Sequence, residues 1–285
     1  MRMTKRLIRL GTMILLAVTF GCGGNGGGSD GGGGGTGTLS MSITDARPVL
    51  PGNPTNCLVT IDEVLVHQPG GPWQSLLMAR TPFTIDLLHF SDGLTSEFVP
   101  PASLLSGKYT QIRLSVISAK LVFEDTSEIQ LEIPSENLKT DQNFEITVAS
   151  GAAVDLTVDF DLSRSIVEAP AGIFKMKPVL HIVETTEAAT INGTTNGQKA
   201  WVRVLTKDAG GIYSEEYTRI EIDAGISAFS IYWLVADTDY RVEVDYNPSP
   251  DPLVGFKADF FKDIPSTEVG PGETATINLN QWQAS

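Results

Sequence analysis

The chain has 285 residues, of which 20 are Lys or Arg and 34 are Asp or Glu, for a net charge of −14. The acidic balance, with a pI near 4.6, excludes nucleic-acid binding driven by phosphate neutralisation, which needs a basic surface. Two cysteines and three histidines exclude a disulfide-rich scaffold and a multi-cysteine metal centre.

Arg2, Lys5, Arg6 and Arg9 form a basic start, followed by a mostly apolar run from Leu10 to Phe20. That run is too short to span a membrane as a helix, which needs roughly 20 apolar residues, and it fits the hydrophobic region of a signal peptide. Gly21 then precedes Cys22, and Gly23 and Gly24 follow. A small residue before a Cys at this place resembles the lipobox of bacterial lipoproteins, in which the Cys becomes the lipidated first residue. Ordinary secretion, with cleavage near Gly21, is the alternative. Residues 23–38 hold 11 glycines among 16 positions, a composition that builds no core. Such a tether reaches about 20–24 Å and holds a folded body clear of a membrane surface. The expected order is a signal peptide at 1–21, a lipid-anchored Gly-rich linker at 22–37, and folded chain after it.

From residue 38 onward apolar side chains recur at every second position, the mark of half-buried strands. Leu39, Met41 and Ile43 begin the series. Cys57-Leu58-Val59 is an apolar run in which the thiol reads as a small buried hydrophobe. Phe83, Ile85 and Leu87, then Ile112, Leu114 and Val116, then Ile129, Leu131 and Ile133 continue the alternation. Phe144, Ile146 and Val148 precede the longest series, Val154 to Leu162. A further strand is expected through Phe174, Met176, Leu180 and Ile182. Turn signals fall between these runs at Pro51–Pro54, Pro69–Pro72, Ser91–Gly93, Ser106-Gly107 and Ser150-Gly151. The best helix candidate is short, at Pro101 to Leu105. Residues 185–190 read as a joint, and some six or seven further strands follow it, the size of a small β-sandwich. The fold class expected is all-β, with two antiparallel sandwich-like domains at 38–184 and 191–285.

Several segments of the first body carry a resemblance. They are Gly37 to Ala46, Ile61-Asp62-Glu63-Val64-Leu65-Val66-His67, Trp73 to Leu76, Ile85 to Leu88, Gly107 to Leu114, Asp159-Phe160-Asp161 with Ser165-Ile166-Val167, and Phe174 to Val179. Their order and spacing resemble domain-of-unknown-function family 4382, found in bacterial envelope lipoproteins. The resemblance implies an envelope location and an all-β body, and it carries no catalytic residues. Residues 191–285, from Ile191-Asn192-Gly193 through Asp239 to Val244, look like a transthyretin-like or carboxypeptidase-regulatory-like sandwich.

Chemistry-bearing constellations are few. Gly27-Gly28-Ser29-Asp30-Gly31 matches a nucleophile-elbow pattern, but it lies in the linker without a strand–turn–helix context. Asp155, Asp159 and Asp161 occupy alternate positions opposite the apolar face of their strand. They could gather calcium, pair across strands with Arg113, Lys175 and Lys177, or stand exposed. His67, His89 and His181 have no metal-pair spacing. Trp73 and Tyr232 are candidate aromatic contacts for a sugar. The expectation is a lipid-anchored bacterial envelope protein, non-enzymatic, without cofactor or metal, on the outer membrane facing the periplasm or cell surface. It acts as a binding or structural module for an envelope protein or a glycan. The alternatives are a carbohydrate- or calcium-dependent adhesin and a carboxylate-dependent hydrolase.

Overall fold

The computed structural model describes residues 34–45, 48–50, 52–134, 137–139, 144–169, 173–249 and 255–280. The expected signal segment, Cys22, Gly27–Gly31 and most of the linker lie outside the described residues. The first body comprises β1 (Thr36–Thr44), β2 (Asn56–His67), β3 (Trp73–Leu76), β4 (Phe83–Asp86), β5 (Ser96–Leu105), β6 (Gly107–Tyr109) and β7 (Gln111–Val122). It continues with β8 (Glu128–Gln130), β9 (Asn137–Lys139), β10 (Ile146–Val148), β11 (Ala153–Phe160), α1 (Leu162–Ser165), β12 (Ile166–Ala169), β13 (Ile173–Met176) and β14 (Leu180–Glu184). The second comprises β15 (Ala189–Thr194), β16 (Ala200–Lys207), β17 (Tyr213–Ile222), β18 (Ala228–Leu234), β19 (Tyr240–Asp245), β20 (Phe260–Ile264) and β21 (Thr274–Asn278). The fold is all-β, as the alternation predicts.

In the first body one sheet runs β14-β11-β1-β5, with β1 and β11 parallel. Another runs β3-β2-β7-β8, with β4 also on β2 and β9 on β7. Their apolar faces share one core. Leu39, Met41, Leu156 and Val158 from the first sheet join Val59, Ile61, Ile112 and Leu114 from the second. Burying each such side chain stabilises by about 1.5–3 kcal/mol before entropy is counted. Cys57 lies in this core as a free thiol, and burial pushes its pKa up. The second body has its own core between the sheets β18-β15-β21 and β17-β16-β19-β20, centred on Ile191, Val202, Val204, Val242 and Val244.

The turns fall where Gly and Pro announce them. Gly93 and Gly151 take φ +83° and +76°, a left-handed backbone that a Cβ would oppose. The strand expected at 83–87 stops at Asp86. Its carboxylate accepts from the amides of Cys57 (2.9 Å) and Leu88 (3.3 Å) and turns the chain into a 3-10 helix, Leu87–Phe90.

Three expectations are corrected. Residues Pro101 to Leu105 are not helical: they belong to β5, the edge strand beside β1. The register shifts there from Leu39↔Ala102 to Met41↔Val99, so Pro100 and Pro101 sit in a bulge, where a missing N–H costs no ladder bond. The single strand expected through 174–182 is two strands in different sheets. β13 pairs with β12 and β14 with β11, and Pro178 stands in the break. The joint at 185–190 is shorter than expected, because β15 already begins at Ala189.

Candidate functional site

β11 carries the acidic triplet, and its two neighbours decide what each carboxylate meets. Asp155 is exposed and accepts from the Ser40 hydroxyl of β1. Thr157 is buried and shares a 3.0 Å hydroxyl contact with Thr185. Asp159 and Asp161 are only 3% and 1% exposed. Asp161 caps α1 by accepting from the Arg164 amide (3.1 Å), and Asp45 accepts from the Leu162 amide (3.1 Å).

The expected charge ladder is therefore not built. Across from Asp159 stand Thr44 on β1 and His181 on β14, not cations. Arg113 belongs to the other sheet, where its guanidinium lies 4.1 Å from the centre of the Trp73 ring. Lys175 pairs with Glu132 at 3.3 Å. Lys177 is exposed, and its amide donates to the Ser165 carbonyl.

The aromatic candidates also meet their own chain. Trp73 stands between Arg113 and His67, whose ring centre is 4.9 Å away, so its face is not an open stacking platform. In β18 the register shifts around Tyr232 and Trp233, and Trp233 takes φ +61°. The Tyr232 ring then lies against Gly93 so closely that a Cβ there would meet it at 3.2 Å. Both Tyr232 and Trp233 line a cavity of about 90 Å³ in the seam between the bodies, with Asp45, Asp92 and Asp159.

The buried end of the acidic face lies along that seam. β17 of the second body lies along it and offers its main chain. The Tyr217 carbonyl accepts from Arg164 Nη1 at 3.0 Å and meets His181 Nε2 at 2.8 Å. A carbonyl only accepts, so Nε2 carries the proton. The His181 and Tyr217 rings stack at 3.8 Å and 19°. Ser163 donates to the Arg219 carbonyl (3.0 Å) and accepts from the Val49 amide (2.8 Å). Behind the seam, Glu216 binds Arg219 at 2.8 Å, and Arg203 binds Glu243 at 2.7 Å.

Burial sets the charges. Desolvation pushes Asp161 up to about 7, against the pull of Arg164 and with a further push from Glu216. Desolvation, helped by the Arg164 charge and opposed by the bond to the Tyr217 carbonyl, lowers His181 to about 4. The Tyr217 phenol is raised by burial. At neutral pH the joint thus holds a neutral imidazole and an Asp161 near its midpoint. Sequence reasoning missed Ser163, Arg164, Tyr217 and the role of His181. Their partners are 36 to 56 residues apart, and no local period links them.

Beside the seam runs a groove of about 730 Å³ along β14. Phe144 and Ile146 form one wall, and Val235, Ala236 and Pro271 the other. Among the described residues, no three His, Cys, Asp or Glu are placed to hold a metal ion, and no helix is long and apolar enough to cross a membrane.

Comparison with curated proteins found no match, and comparison with solved structures found none. The family model described as Domain of unknown function (DUF4382) matches residues 36–178, half of the chain and nearly all of the first body. The chain belongs to the DUF4382 family.

Proposed function

We propose that the protein is a lipid-anchored lipoprotein of a bacterial envelope, acting as a non-catalytic binding module. The observation that carries this reading is the succession of basic start, short apolar run, Gly21-Cys22 and Gly-rich tether ahead of an all-β body. Two acyl chains on Cys22 suffice for stable anchoring, at about 0.8 kcal/mol per buried CH₂. The tether then holds an acidic body away from an anionic lipid surface, which repels it. The non-catalytic part of the reading is supported by the joint, where His181 is taken up in holding the two bodies together and Asp161 in capping α1. The second body, with three strands facing four, fits a small transthyretin-like sandwich. The adhesin reading finds little support at Trp73, whose ring face carries Arg113.

Metabolic labelling with a palmitate analogue tests the anchor. The wild-type chain should take up label and pellet with membranes, and Cys22→Ala should do neither. Equal labelling of both chains would overturn the reading.

A further inference from the structure

β14 is the outermost strand of its sheet among the described residues. Its register with β11 shows which way its main chain faces. The Asp161 amide donates to the Val179 carbonyl and the Thr185 amide to the Asp155 carbonyl, one at each end of the ladder. In an antiparallel pair the bonding residues alternate, so Val179, His181, Val183 and Thr185 turn their polar groups inward. Leu180 and Ile182 then turn both N–H and C=O outward, and Glu184 its N–H, while the Glu184 carbonyl already accepts from Glu187. Leu180, Ile182 and Glu184 all line the 730 Å³ groove. It lies in the size range of ligand sites, and its two walls come from the two bodies.

The lining has one sign of charge. Glu145, Glu184, Glu187 and Asp237 contribute carboxylates, and among the described residues no Lys or Arg lines the groove. Only Glu145 has an ion-pair partner among the described residues, Lys108 at 2.6 Å. His181, held near pKa 4 by burial, adds no positive charge at neutral pH. Leu180, Ile182 and Phe144 supply apolar surface between the acids.

We infer that the groove binds an extended basic segment of a partner protein, which adds as a strand to the outer edge of β14. Main-chain hydrogen bonds to Leu180 and Ile182 give affinity, and Lys or Arg side chains meeting Glu184, Glu187 and Asp237 give selectivity. A second copy of the chain is disfavoured as occupant, because edge-to-edge pairing would oppose the two sets of carboxylates. This inference rests on the binding-module reading and names its partner's chemistry.

The test uses the full chain and short peptides alternating Lys with Val, against the same peptides with Glu for Lys. Fluorescence anisotropy should show binding of the Lys set only, weakening with salt. The triple variant Glu184→Gln, Glu187→Gln, Asp237→Asn should bind about tenfold more weakly, since each surface ion pair is worth up to about 1 kcal/mol. Hydrogen exchange should show the amides of Leu180 and Ile182 gaining protection on binding. That readout needs no variant and does not depend on refolding. Absence of binding, equal binding of both peptide sets, or unchanged Leu180 and Ile182 exchange would each overturn the inference. So would a concentration-dependent dimer that protects those amides without peptide. Each of these failures would leave the Cys22 labelling result untouched.

Discussion

Replacing His181 by Gln should unmask a pH dependence of stability that the wild-type chain conceals. His181 titrates near 4 in the folded chain and near 6.5 when unfolded. Between those values the unfolded chain binds a proton that the folded chain does not, so its contribution is full above pH 6.5 and falls as pH drops toward 4. Asp161 works the other way. Its folded value is about 7 against 3.8 unfolded, so its contribution is greatest below pH 3.8 and is lost as pH rises toward 7. From pH 4 to 6.5 the two slopes oppose each other at about 1.4 kcal/mol per pH unit each. His181→Gln, which keeps a donor for the Tyr217 carbonyl, leaves the Asp161 slope alone. Its stability relative to wild type should fall by about 3 kcal/mol from pH 4 to 6.5. Asp161→Asn, which keeps the acceptor for the Arg164 amide, should rise by a similar amount across the same window. Urea titrations of the three chains at several pH values measure these differences, and other carboxylates cancel in the comparison. Two variants that follow the wild-type profile would refute the reasoning.

Asp86→Ala should cost about 2 kcal/mol by denaturant midpoint, because the amides of Cys57 and Leu88 lose their acceptor where the chain leaves β4. Gly193→Ala should cost about 1–3 kcal/mol, since the new Cβ would stand 2.0 Å from the tip of the Phe229 ring. In a Phe229→Leu background the same change should cost less.

Much of the first core was legible because alternation and burial coincide. Leu39, Met41 and Ile43 read as one inward face, and all three are buried. Prolines were harder to read. Pro101 suggested a helix start, while the chain uses Pro100 and Pro101 as a bulge in an edge strand. Pro178 divides a series whose apolar spacing runs on past it. The joint was the least legible part. Alternation tells which face of β11 is apolar, and from it the face bearing Asp159 and Asp161 reads as open to solvent or to cations. What covers it is β17, whose Tyr217 and Arg219 carbonyls lie more than 50 residues further along. Main-chain acceptors leave no trace in side-chain pattern, so only the folded chain reveals them. The groove follows from the same joint, because its walls come from both bodies.

The seam of Ser163, Arg164, His181 and Tyr217 joins the two β bodies into one cooperative unit. Scanning calorimetry of the full chain tests it most directly. The expected result is a single transition whose calorimetric and van't Hoff enthalpies agree. Two separable transitions, one for each core, would contradict it.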